Sequence, residues 1–216
     1  MGRCGPLGRA ELAKTKTSVE PRIVEAGIEL FSERGFHGVR QQDLVRGADT
    51  TLHSFYLHFA DTKAVFDVVL DTVIRRALDL GKLALMILSQ GKDMRDSAGV
   101  ARFVIRQWYE SLTLPTARLL VYAGLSKNKK WKRQVEDHLG GIIDLLVKTL
   151  AGAKLVQDAD GQIKPEVAAK ALIWTLLHFK INESESRTEK EQEQAVEEIL
   201  SHWLHAFLAG QAPKPE

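Results

Sequence analysis

The 216-residue sequence predicts an all-α fold, and three observations carry that expectation. Apolar residues recur at spacings of three and four along most of the chain, the period of one helix face. The six prolines, Pro6, Pro21, Pro115, Pro165, Pro213 and Pro215, fall at the ends of periodic segments. Strand-like alternation is scarce, and no Asn-Gly or Asp-Gly pair separates two β-branched runs. Asp160-Gly161 is a turn signal, but helical patterns flank it.

Composition narrows the class further. At 44% hydrophobic and a net charge of +2, the chain is too apolar and too neutral to be disordered. Its length suits one or two domains with a substantial core. The single cysteine, Cys4, leaves no internal disulfide and no cysteine-based zinc site, a usage that fits a reducing cytoplasm. The longest fully apolar run, Leu83 to Leu88, is too short to span a bilayer. Residues 1–16 lack the apolar stretch of a secretory signal.

The elements follow in order. Residues 1–17 read as a flexible basic arm in which Arg3, Arg9, Lys14 and Lys16 face only Glu11. The spacing of Ile23, Ala26, Gly27, Leu30 and Phe31 predicts a first helix over 20–34, with Pro21 tolerated in its first turn and Gly35 as its stop. Two short helices are expected over 41–46 and 51–58. A long one begins after the cap residue Asp61 and runs towards Leu88, with a bend or break available at Gly81. Further helices are expected over 93–112, 116–125, 133–150, 165–182 and 189–208. The acid-rich stretch 183–198 reads as a solvated loop and helix face. The basic run 127–133 reads as a solvated face whose Trp131 packs inward.

Short helices joined by a tight turn and followed by a long helix make a helix-turn-helix layout over Arg22 to Val68. The run Glu29-Leu30-Phe31-Ser32-Glu33-Arg34-Gly35-Phe36, then Asp43 and Leu44, then Phe55-Tyr56-Leu57-His58-Phe59 and Lys63, resembles the TetR family of bacterial transcriptional regulators. The motif covers about a quarter of the chain. The resemblance implies an N-terminal DNA-binding domain over 18–65 and a helical ligand-binding and dimerisation domain over 66–210, with a tail at 211–216. It implies a DNA-binding regulator, a repressor released from a palindromic operator by a small molecule.

Physical reasons stand beside the resemblance. Phe55 and Phe59 share a helix face and should pack under the first helix, which turns Tyr56 and His58 elsewhere with polar tips for phosphate or base edges. Lys63 in a first helical turn is unfavourable for the helix alone, and a phosphate would explain it. The expected DNA contacts are Arg40, Gln41, Gln42, Thr51, Leu52, His53, Tyr56, His58 and Lys63, although solvent exposure alone accounts equally for Arg40, Gln41 and Gln42. The arm residues Arg9, Lys14 and Lys16 can add phosphate or minor-groove contacts.

Departures from the family pattern cluster at the turn. Ala48-Asp49-Thr50-Thr51 stands where Ala-Gly-Val-Ser is usual, so Asp49 must take the positive φ a glycine takes cheaply. Thr51 remains a good cap, whereas Val39 stands where the second helix usually has a Thr or Ser cap. Leu52 replaces a polar residue and can meet a thymine methyl.

In the C-terminal part, the helices near 165–181 and 196–208 are apolar on more than one face, which asks for a core and a second subunit. A homodimer interface through Trp174, Leu177, Ile181, Ile199, Trp203 and Phe207 is expected, placing paired reading helices about 34–36 Å apart. A pocket lined by Phe103, Trp108, Tyr109, Leu112, Leu119, Tyr122, Trp174 and His178 would take a hydrophobic or aromatic effector, with plain core packing the weightier role for each. His138 is the other polar candidate within an apolar helix, and a satisfied core histidine is the weightier role for both it and His178. His202 and His205 lack a third ligand at convincing spacing, so neither metal nor cofactor is expected. No His-Glu-x-x-His, Gly-rich phosphate loop or nucleophile triad supports an enzyme. The competing assignment is a helical ligand-binding or adaptor protein whose degenerate helix-turn-helix no longer binds DNA.

Overall fold

The computed structural model describes residues 18–90, 97–152, 164–183 and 187–209, which are helical almost throughout and contain no strand. The chain divides into two compact units, Met1–Asp71 and Thr72–Glu216. The basic arm, the tail at 211–216 and the side chain of Phe207 lie outside the described residues.

The first unit holds α1 (Val19–Arg34), a 3-10 turn (Phe36–Gly38), α2 (Gln41–Gly47), α3 (Leu52–His58) and the start of α4 (Thr62–Gln90), which continues into the second unit. The inward stripe of α1 is Ile23, Val24, Gly27, Ile28 and Phe31, all buried. Phe31 meets Phe66 edge-on at 5.0 Å between ring centroids, and Phe36 meets Phe66 at 5.4 Å, so three rings form the centre of this unit. Gly27 permits close approach of α1 and α4: a Cβ built there would lie 2.9 Å from Val69 Cγ2. Gly35 ends α1 with φ 67°, its N–H donating to the Phe31 carbonyl.

Two elements differ from expectation. Helix α4 passes through Gly81 without interruption, because one glycine's cost of about 1 kcal/mol is spread over a 29-residue helix. The cap of α2 is Arg40 rather than Val39, since Val39 is buried in the core and the chain turns one residue later. Arginine offers no acceptor there; Asp43 compensates by accepting the Arg40 backbone N–H at 2.9 Å.

The second unit contains, beyond its part of α4, α5 (Ser97–Ser111), α6 (Leu114–Leu125), α7 (Lys129–Gly152), α8 (Pro165–Glu183) and α9 (Glu189–Ala209). Helix α7 packs on α5, α6 and α8, and α9 packs on α5 and α8. Its core draws on Ile105, Trp108 and Leu112 of α5, Leu119 and Leu120 of α6, Val135 and Leu146 of α7, Ile173, Leu176 and Leu177 of α8 and Leu200 of α9. Caps fix the starts: Thr113 accepts from the Thr116 N–H, Asn128 from those of Lys130 and Trp131, and Thr188 with Glu191 forms a reciprocal capping box. Trp131 is buried, so the basic run does present its charges outward around an inward tryptophan. Glu193 and Glu197 are not merely solvated; both pair with arginines of α5.

Candidate nucleic-acid interface

The turn between α2 and α3 sets the direction of α3. At the end of α2 the Asp49 N–H donates to the Arg46 carbonyl at 3.2 Å and the Thr50 N–H to the Val45 carbonyl at 3.1 Å. This is a Schellman motif, which needs a left-handed residue after the cap. Asp49 supplies it with φ 46°, the conformation expected from its place in the turn. Arg22 reaches across from α1 and donates to the Asp49 carbonyl at 3.1 Å. Sequence inspection passed over Arg22, because a bond spanning 27 residues leaves no local signal.

Helix α3 then starts from Thr51, whose hydroxyl oxygen accepts the Ser54 N–H at 3.1 Å. Phe55 and Phe59 are both buried, which commits the opposite face to solvent. That face carries Leu52 at 44%, Tyr56 at 53% and Leu57 at 71% exposure, with His53 beside them. Leu57 was not among the expected contacts, although its place out of phase with the two phenylalanines was a usable sign.

The Tyr56 hydroxyl donates to Gln41 Oε1 at 3.1 Å, joining the first residue of α2 to the outer face of α3. Arg40 and Gln42 stand exposed beside Gln41. His58 lies 3.8 Å from Glu20, and Lys63 lies 3.5 Å from Asp67, one turn along α4. Both pairs are solvent-accessible and weak, so either side chain can exchange its carboxylate for a phosphate at small cost. Asp61 accepts the Ala64 N–H at 2.7 Å, as expected of a cap, and holds the first turn of α4 where Lys63 projects.

Residues 23–69, the segment just described, match the family model of bacterial regulatory proteins, tetR family. The N-terminal segment carries a DNA-binding domain of the tetR type. The uncharacterised HTH-type transcriptional regulator YvdT of Bacillus subtilis is 22% identical over 139 residues, which is 63% of this chain and 69% of that one. The TetR-family regulator SCO4454 of Streptomyces coelicolor superposes with a TM-score of 0.65 at 17% identity, covering 96% of each chain. A TetR-family regulator from Shewanella sp. PV-4 gives 0.66 at 14% identity, covering 88% of this chain and 98% of its own. At these identities the structural likenesses carry the TetR fold alone.

The expected effector-pocket residues scatter in the second unit. Trp108, Leu112 and Leu119 are fully buried core residues, and Trp174 packs against Gly124. Phe103 is 38% exposed, and His178 is exposed and bonded to Asn182 at 3.0 Å. Of the eight, Tyr109 alone lines the cleft found among the described residues, which is walled mainly by charged side chains. The expected interface residues divide as well. Leu177 is wholly covered inside its own subunit and cannot reach a partner, whereas Trp174, Ile181, Ile199 and Trp203 are partly exposed. The Trp203 indole donates to the Ala168 carbonyl at 3.1 Å, fixing α9 against the start of α8.

No metal-holding group of His, Cys, Asp and Glu occurs among the described residues. No helix there is long and apolar enough to cross a membrane.

Proposed function

We propose that this protein is a TetR-family, cytoplasmic DNA-binding transcriptional regulator acting as a homodimer on a palindromic site, a repressor released by a small molecule. One observation carries the DNA assignment. A capped three-helix head fixes an outer face of Leu52, His53, Tyr56 and Leu57, with Tyr56 tied to Gln41 and Arg40, Gln42 and Lys63 alongside. Such a face offers amide and guanidinium groups to base edges, and hydroxyl, imidazole and ammonium groups to phosphates. The adaptor alternative drew on Asp49 and Leu52. Asp49 adopts the conformation the turn needs, which favours a working head.

Dimerisation fits α8, whose Val167, Ala171, Thr175 and His178 form an exposed stripe opposite its buried Ile173 and Leu176. Effector control fits α4, which starts in the head and continues into the second unit, so a ligand with different affinity for two α4 positions would shift the population of DNA-competent dimers.

Operator titration over a range of salt, with promoter DNA adjoining the protein's own gene, tests the DNA assignment. A dimer should protect two half-sites about one helical turn apart. Lys63→Ala should weaken binding to every sequence and flatten the salt slope by about one unit. An unaltered slope removes Lys63 from the interface, and failure to retard any such DNA returns the protein to the adaptor class.

A further inference from the structure

The second unit contains a cleft of about 380 Å³ between α5, α8 and α9, a size within the range of small-molecule sites. Its acids are already engaged. Arg106 holds Glu110 at 2.7 Å, Glu193 at 2.8 Å and Glu197 at 3.5 Å, and Gln107 donates to Glu110 at 3.0 Å. Its remaining cation is not. Among the described residues Lys180 forms no salt bridge, and its Nζ sits 4.6 Å from the centroid of the Tyr109 ring. The Tyr109 hydroxyl is buried and has no hydrogen-bonding partner among the described residues. Lys180 and Tyr109, each with a donor that lacks an acceptor among the described residues, both line this cleft, with Val196 adding apolar surface.

We propose that this cleft binds a small monocarboxylate with an apolar or aromatic body, its carboxylate accepting hydrogen bonds from Lys180 and from the Tyr109 hydroxyl. The charge balance selects the class. A cation would meet Lys180 and Arg106, with every nearby carboxylate already taken. A dianion such as a phosphate monoester would meet Glu110 and Glu193 across a narrow cleft. A single negative charge is matched by one unpaired ammonium. Burial pushes the Lys180 ammonium down from its usual range, partly offset by Glu110, so an added anion restores what desolvation removed. Burial pushes the Tyr109 phenol up to about 12, which keeps it a donor at neutral pH.

The cleft lies away from the stripe assigned to dimerisation. Ala169, Ile173 and Leu176, which share the Lys180 side of α8, are fully buried, whereas Val167, Ala171, Thr175 and His178 lie on the opposite side. The proposal does not depend on DNA binding, and its test contains no DNA.

Three probes of matched shape decide it: phenylacetate, 2-phenylethanol and 2-phenylethylamine, titrated into the full-length protein by calorimetry and ligand-observed NMR. Phenylacetate should bind at about 1 mM or better, and the neutral and cationic probes should not. Lys180→Met should weaken phenylacetate at least about tenfold, Tyr109→Phe by about three- to tenfold, and Lys180→Arg by less than about threefold. Melting curves of each variant separate lost binding from lost folding, with the charge-preserving arginine variant as the folded control. Equal binding of all three probes, absence of phenylacetate binding, or binding indifferent to Lys180→Met overturns the proposal.

Discussion

In the N-terminal unit polar side chains close on their neighbours. Thr51 and Asp61 cap helices, Asp43 takes the Arg40 N–H, Tyr56 bonds Gln41, and Arg22 secures the Asp49 carbonyl. Only the Arg22 Nε is buried without a partner among the described residues there. In the C-terminal unit the Trp108 indole, the Tyr109 hydroxyl, Gln134 Oε1 and both ring nitrogens of His138 are buried without partners among the described residues. One unit spends its polar groups on fixing an outer surface, and the other holds unsatisfied groups inside. The contrast teaches where specificity can change: the head is defined by what it fixes outward, and the C-terminal unit, on the proposed function, by inward groups that an occupant can complete.

The contrast can be broken at the centre of the head. Phe31 is buried and touches both Phe36 and Phe66, so Phe31→Ala removes the middle of a three-ring cluster. It should cost about 3–5 kcal/mol, read by denaturant unfolding. Hydrogen exchange should show the loss in α1 to α3 while the amides of α7 and α8 keep their protection. Equal loss of protection in both units would show that they unfold as one, and would remove the distinction between them.

His138 sharpens the other side. Burial drops its imidazole to about 4, so the folded protein holds it neutral where the unfolded chain, near 6.5, takes up a proton. The unfolded state then binds more protons below pH 6.5, and stability falls as pH drops from about 6.5 to about 4. Above that window His138 contributes no pH dependence. The full loss is about 3 kcal/mol. His138→Leu should abolish this acid-sensitive portion, measured as the difference between variant and parent unfolding free energies at each pH. At pH 7 the same change replaces two unpartnered nitrogens with apolar surface, and should stabilise by about 1 kcal/mol. A destabilised variant at pH 7 would mean that His138 is already satisfied in solution, and the inward contrast would lose its strongest member.

The sequence is most legible where cause and effect lie within one helical turn. Phe55 and Phe59 declared their shared face, Asp61 its cap and Gly35 its stop. The buried Trp131 in a basic run followed from the same local pattern. Legibility failed where partners are distant. Arg106 meets Glu193 across 87 residues and Arg102 meets Glu197 across 95, so an acid-rich segment that reads as solvated is in fact half of an α5–α9 clamp. The cleft was missed for that reason: an aromatic-rich pattern suggested an apolar pocket, and the side chains that line the actual cleft are mainly charged residues brought together by packing. Leu177 failed differently. Helix α8 is apolar on several faces, and periodicity cannot tell the face its own subunit covers from the face left for another.

The finest test falls on the turn itself. Asp49 sits at φ 46° with its carbonyl held by Arg22, a backbone contact that any residue can make. A non-glycine residue in the left-handed region costs about 1 kcal/mol, less for Asp or Asn, whose side chains tolerate it. Glycine removes that strain but gives the unfolded chain more freedom, worth about 0.5–1 kcal/mol in the opposite direction. Asp49→Gly should therefore move stability by no more than about 0.5 kcal/mol, while Asp49→Val, branched at Cβ, should lose about 1–3 kcal/mol. If Asp49→Gly instead changes operator affinity tenfold with stability intact, the carboxylate rather than the backbone is the functional part of this turn. The head would then present a deliberate negative charge among its DNA-facing groups, a feature that a backbone role for Asp49 does not predict.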